Sequence, residues 1–337
     1  MPDWRNLRVL ARHMEPPRAD WIPYADEASA LSGERDNAAY FRSLNGEWAF
    51  HYGRHPLDVP DGFPHEGVPA ERGRTIPVPA NWQLHGYGRP HYSSCPYPFP
   101  LDPPHVPLDT PIGCYWREFA IPDEWNGRDV RIVFEGVDSA FHLWVNGALA
   151  GYGQGSHYTS EFRIADKLKP GVNVLAVKVY QWSVGSYLES QDKWRMSGIF
   201  RDVYLIAPAA VMMRDVRVQT RFPEDYSSSL LDIRLSLANV STAAQSVRVS
   251  AKLTNEAGEA VWSREAEQWT IAPGTSASGV ELLWSGDIRS PRLWTAETPH
   301  LYTLLLTLTD EGGASLEVKR VSVGFRDIRI DRGRLLV

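Results

Sequence analysis

From Leu44 onward the chain alternates short β-rich apolar runs with turn residues, and no long stretch keeps apolar positions three and four apart. The pattern predicts an all-β fold with little helix. Asp129 to Phe134 places Val130, Ile132 and Phe134 opposite Arg131, Val133 and Glu135, the mark of a half-buried strand. Ala140 to Val145 carries Phe141, Leu143 and Val145 and ends in Asn146-Gly147. Both of those residues tolerate positive φ, so a tight hairpin is expected there. Val172 to Tyr180 follows a Pro170-Gly171 turn and alternates again, with Val172, Val174 and Ala176 expected on one face. Together these runs predict one antiparallel sandwich.

Arg74 to Pro111 breaks the pattern with Pro77, Pro79, Pro90, Pro96, Pro98, Pro100, Pro103, Pro104, Pro107 and Pro111. Proline lacks the backbone donor that a central strand needs, so this segment belongs outside the middle of a sheet. A connection that long is expected to cover a surface or serve a site. Beyond Ala207-Pro208 the spacing becomes even, with strands expected at Val211–Thr220, Leu230–Asn239, Ser246–Thr254, Val280–Trp284, Leu301–Asp310 and Ser315–Val323. That number and spacing suit an immunoglobulin-like sandwich. The run Gly151-Tyr152-Gly153-Gln154-Gly155 reads as a glycine-rich hairpin turn, because no parallel strand feeds a helix there as a dinucleotide loop requires.

At 337 residues the chain is too long for one ordinary core, and two domains are expected. A net charge of −6 argues against a nucleic-acid partner or an anionic membrane surface. The start Met1-Pro2-Asp3-Trp4-Arg5 lacks the apolar core of a signal peptide, and no run approaches the roughly 20 apolar residues that span a bilayer. A cytoplasmic location is the expectation. Cys95 and Cys114 are too few for a disulfide framework and read as buried, reduced thiols. His85 with His91, and His51 with His55, lack the spacing of a zinc site.

Glu34, Glu47, Glu118, Glu135, Glu161 and Glu189 are scattered among strands and turns and read as solvated. The cluster from Tyr187 to Arg195 joins two β segments and mixes charges with Trp194. It is either a salt-bridged loop or a binding loop displayed by the sandwich. Trp144 reads as packing between strands, whereas Trp182 and Tyr187, on either side of Gly185, face the core or a ligand.

Several longer motifs occur in a set order: Ser43-Leu44-Asn45-Gly46-Glu47-Trp48, Phe141-His142-Leu143-Trp144-Val145-Asn146-Gly147, Trp194-Arg195-Met196-Ser197-Gly198-Ile199-Phe200-Arg201-Asp202-Val203, and finally Gly324-Phe325-Arg326 with Asp327-Ile328-Arg329-Ile330. In this order the chain resembles the front part of a family 2 glycoside hydrolase of the β-galactosidase type. The resemblance implies an extended arm over 1–39, a jelly-roll sugar-binding domain over 40–207, an immunoglobulin-like sandwich over 208–326, and a stub over 327–337 leading into a (β/α)₈ barrel. A retaining glycosidase needs two carboxyl groups about 5 Å apart. By the resemblance both lie on the barrel, beyond Val337, so no catalytic residue is expected here and the chain alone is expected to be inactive.

The family pattern Gln-Asp-x-Trp-Arg-x-Ser-Gly is met at Gln191-Asp192-Lys193-Trp194-Arg195-Met196-Ser197-Gly198. It implies that Asp192 enters the sugar site and is a sodium ligand in the complete enzyme, where magnesium is also implied. A second pattern matches Trp82-Gln83-Leu84-His85-Gly86-Tyr87 and Pro90-His91-Tyr92, but Ser94 stands where the family has a sugar-contacting Asn, and Cys95 beside it also departs. The partners implied are the barrel, a β-galactoside substrate and further copies of the chain in a homo-oligomer. A stand-alone carbohydrate-binding module, or the front of a β-glucuronidase or β-mannosidase, is the alternative.

Overall fold

A computed structural model describes residues 1–19, 22–65, 74–94, 97–189 and 192–337. The chain is nearly all β, and its compact units are residues 1–17, 42–126 and 130–206 in one, and 18–41, 127–129 and 207–337 in the other.

The first unit is a jelly-roll sandwich. Its larger sheet has seven strands in the order Ala11–Arg12, Ala148–Gln154, Ala140–Val145, Val172–Tyr180, Ile112–Ala120, Gly46–Gly53 and Arg74–Val78. The smaller runs Ser160–Arg163, Arg131–Phe134, Val203–Ile206 and Phe41–Ser43. Phe141 of the first sheet meets Phe134 and Phe162 of the second at ring-centroid distances of 5.0 and 5.9 Å. The opposite face of the large sheet is also covered: Cys114, Trp116, Ala176 and Tyr180 pack with Trp4 of the N-terminal arm and with Phe99 and Val106 of the proline-rich segment. Trp4 lies over Tyr180 at 5.5 Å, and Asp3, which accepts from Arg12 at 2.7 and 2.8 Å, lies 3.2 Å from His142 Nε2 of the sheet.

The Asn146-Gly147 hairpin forms as expected, with φ of 50° and 79°. Pro77 lies on the edge strand Arg74–Val78, where a missing donor costs no ladder bond. Three expectations need correction here. The Gly151–Gly155 run is strand up to Gln154, not a turn. Residues 131–134 do not alternate; all four are buried. The outcome at Arg131 follows from charge: it bonds Glu161 at 2.5 Å and Glu15 at 3.4 Å, with no exposed surface on its side chain. Glu161, read as solvated, is therefore a buried partner.

The second unit is an immunoglobulin-like sandwich of a three-stranded sheet (Val211–Arg221, Ser228–Asn239, Thr275–Arg289) and a four-stranded one (Ala260–Ile271, Gln245–Thr254, Tyr302–Asp310, Ser315–Val323). Its core has period two: Leu231, Ile233, Leu235 and Leu237 face Val247, Val249, Leu253, Leu304, Leu306 and Leu308. Glu317 and Lys319 are buried with it; Glu317 accepts from Met213 N and Lys319 donates to Met213 O. Phe325 closes one end edge-on to Tyr302 at 4.8 Å, and the chain finishes in a small exposed hairpin, Arg329–Asp331 with Arg334–Leu336.

Breaking either buried charge group should cost about 3–5 kcal/mol, because the abandoned partner keeps its desolvation cost. Arg131→Met is expected to lower the urea midpoint of the first unit and Lys319→Met that of the second. Burial raises the Glu317 carboxyl above its ordinary range, so the Lys319→Met loss should shrink as pH falls and Glu317 becomes neutral. Denaturation followed at two pH values checks both, and a midpoint left unchanged would count against the pairing.

Candidate functional site

Trp82-Gln83 and Ser197-Gly198, far apart in the chain, are joined directly. Trp82 N donates to Ser197 O at 3.1 Å and Ser197 N to Gln83 Oε1 at 2.9 Å. Gly198 sits at φ +130°, and a Cβ there would lie 2.7 Å from Ala80 O, so a side chain is excluded. This joint sets the path of the segments on either side. His91–Tyr92 and Trp194–Arg195 then pair antiparallel, Tyr92 opposite Trp194 and His91 opposite Arg195.

Trp194 faces out and Arg195 in, while His91 and Tyr92 are both exposed. Trp194 and Tyr92 are each about half exposed, with ring centroids 5.6 Å apart, and Asp192 is exposed beside them. Tyr92 Oη donates to Asp192 Oδ1 at 2.7 Å. Arg195, in contrast, is buried and donates through Nη2 to Ser93 O at 3.3 Å, while its Nε and Nη1 have no partner among the described residues. Ser94 is exposed on the Tyr92 segment. Cys95 lies outside the described residues. Cys114 is in the core, where burial pushes its thiol up to about 12.

Two groups that the sequence reading did not single out lie behind this surface. Lys193 Nζ is 3.3 Å from Asp138 Oδ2. Burial is the main cause of an Asp138 carboxyl raised to about 6; Lys193 pulls it down and Glu189 pushes it up. Its folded value exceeds the unfolded one, so what it adds to stability is complete at acid pH and lost as pH rises through about 6. Glu189 accepts from Ser156 N at 2.8 Å and from Ser156 Oγ at 2.5 Å, so it too is engaged, not merely solvated. The carboxylates behind the loop are thus held by partners, and Asp192 is the one turned outward.

The other aromatic candidates are structural. Trp182 and Tyr187 pack edge-on against Phe99 at 5.2 and 5.3 Å, and Tyr187 Oη donates to His105 O at 2.6 Å, fastening the proline-rich segment. Trp144 packs against Phe63 and His142. His51 Nε2 lies 3.0 Å from Asp58 O and His55 Nδ1 accepts from Leu57 N, so both serve a turn.

Chemically the surface suits a polyhydroxylated ligand: a carboxylate accepts from hydroxyls, and half-exposed rings offer an apolar face. It does not by itself compose a sodium or magnesium site. Hard cations take several oxygen ligands, one Asp192 oxygen is already held by Tyr92, and no group of three or more His, Cys, Asp or Glu gathers for a metal among the described residues.

Comparison with known proteins agrees with this architecture. The profile described as "Glycosyl hydrolases family 2, sugar binding domain" matches residues 41–208, and the one described as "Glycosyl hydrolases family 2" matches 211–326. Among solved structures, β-glucuronidase from Bacteroides uniformis is similar with a TM-score of 0.69 at 19% identity, over 86% of this chain and 33% of its own. β-Glucuronidase from Bifidobacterium dentium follows at 0.66 and 18%, over 89% and 50%, and a candidate β-galactosidase from Bacteroides fragilis at 0.64 and 19%, over 86% and 41%. The chain therefore spans a third to a half of these neighbours, and at such identities the likeness speaks to the fold. With both sandwiches matched by their domain profiles, the chain belongs to glycosyl hydrolase family 2.

Proposed function

We propose that this chain is the non-catalytic front of a retaining β-galactosidase, bracing a catalytic barrel and completing its sugar pocket. The observation that carries the reading is the outward Asp192, oriented by Tyr92 and flanked by Trp194, within Asp192-Lys193-Trp194-Arg195-Met196-Ser197-Gly198. In this role Asp192 accepts hydrogen bonds from sugar hydroxyls, while the acid and the nucleophile are supplied by the barrel. Ser94 stands at the pocket's edge as a short hydroxyl that reaches sugar through water. Cys95 is its neighbour in sequence.

Support for a covering domain comes from the surface. Leu84, Leu101 and Leu108 of the proline-rich segment and Leu188 of the loop are more than 60% exposed, and Arg195 keeps two buried donors without a partner among the described residues. Exposed apolar side chains and unpaired buried donors both favour closure by another surface. The complete protein is, on this reading, a cytoplasmic homo-oligomer. β-Glucuronide is the competing substrate, because β-glucuronidases of several organisms are among the structural neighbours.

Hydrolysis of chromogenic β-galactoside and β-glucuronide by this chain, and by a form extended through a catalytic barrel, tests the proposal. Activity on the galactoside in the long form alone is expected; preference for the glucuronide would replace the substrate, and activity of the short chain would overturn the reading. In the long form Asp192→Asn should lower kcat/KM roughly 100-fold, equivalent to about 2.7 kcal/mol of transition-state stabilisation. Ser94→Asn, which supplies a longer amide, should lower KM by a factor of about 3, under 1 kcal/mol.

A further inference from the structure

In the bend just before Trp194–Arg195, Asp192 is exposed while Lys193 reaches Asp138 Oδ2 at 3.3 Å. Asp138 is no loose surface group. It lies on the short strand Val137–Asp138, directly opposite Gly198 in the pair with Gly198–Ile199. The ion pair therefore ties residue 193 to the strand that also holds the far end of the same loop. Toward the other end, Glu189 grips Ser156 through two hydrogen bonds. Asp192 follows that anchor and immediately precedes Lys193, so the aim of its carboxylate depends on where Lys193 is held.

We propose that Lys193 and Asp138 are positioning residues, whose ion pair fastens the loop from beneath and aims Asp192, through its bond with Tyr92, at the ligand. The consequence for sugar rests on Asp192 being a sugar contact, as argued above, but the aiming itself can be observed without any sugar. The charged groups facing Asp138 are Lys193 and Glu189, with the Ser156 hydroxyl beside them. His157, next in sequence to Ser156, in turn feels Lys193, Arg201 and Glu189. Asp138 is raised to about 6, so the ion pair is complete above that pH and dissolves below it as Asp138 becomes neutral. Burial lowers the His157 value from its ordinary one, and its titration must be separated from that of Asp138.

The Tyr92–Asp192 bond is the reporter. In the chain labelled with ¹³C at tyrosine Cζ, the Tyr92 resonance is assigned by its loss in Tyr92→Phe, and Asp192→Ala, which removes the acceptor, sets its released position. At pH 7, Lys193→Met and Asp138→Asn should both move the resonance to the released position, whereas Lys193→Arg, which keeps the charge, should hold it. In the unmodified chain it should travel to that position as pH falls, with a midpoint near 6. His157→Gln should leave the midpoint in place and Asp138→Asn should abolish it. The remaining tyrosine resonances show whether each variant is folded, and the titration of the unmodified chain needs no variant. A Lys193→Met resonance identical to wild type, or a midpoint near 6 that survives Asp138→Asn, would overturn the proposal. Failure of the long form to hydrolyse galactosides would remove the proposed function and leave this result untouched.

Discussion

What the candidate site depends on is a ladder only two residues long, Tyr92 against Trp194 and His91 against Arg195. Because side chains alternate along a strand, this register sends Trp194 out and Arg195 in; in the bend just before it, Asp192 is exposed beside Tyr92 and Lys193 reaches Asp138. A slip by one residue would exchange Trp194 and Arg195, exposing a guanidinium that is now buried. So short a ladder cannot hold its own register against chain entropy. It is held by the Trp82–Ser197 and Gln83–Ser197 hydrogen bonds and by Gly198, whose backbone approaches Ala80 more closely than any side chain would permit. The sandwich supplies the fixed platform, and those contacts pass its geometry to Asp192.

Much of this fold was legible because hydrophobic periodicity and turn chemistry act locally. Asn146-Gly147 marks its hairpin without help from elsewhere, and the strand Ser315–Val323 has the limits its pattern predicts. The strand Ala260–Ile271 was missed for the complementary reason. It is an edge strand, mostly exposed, so nothing selects an apolar alternation along it. Residues 131–134 failed differently: with both faces covered, period two loses its meaning, and an arginine is admitted because Glu161 and Glu15 come to meet it.

At the site the division is similar. Asp192 was singled out through a motif, and the structure leaves it exposed. That Tyr92 orients it, and that Lys193 is tied beneath it, was not legible, because Tyr92 is 100 residues away and Asp138 is 55. No spacing rule links such positions; they meet only through sheet topology. Trp182 and Tyr187 show the converse, since each has the composition of a ligand-facing residue and neither has the geometry.

The pair of Lys193 with Asp138 is better understood as a constraint on direction than as a source of stability. Both side chains keep some solvent access, 31% and 17%, so the attraction between them is partly screened. Against it stands the cost of withdrawing the Asp138 carboxyl from water, seen in its raised value. Gains and losses of this kind nearly cancel in a half-buried pair. What does not cancel is geometry, because a neutral Asp138 or an apolar residue at 193 would leave the peptide carrying Asp192 free to turn. A loop that must present one carboxylate to a ligand can tolerate an ion pair of little net worth to folding, provided that the pair has only one satisfactory arrangement.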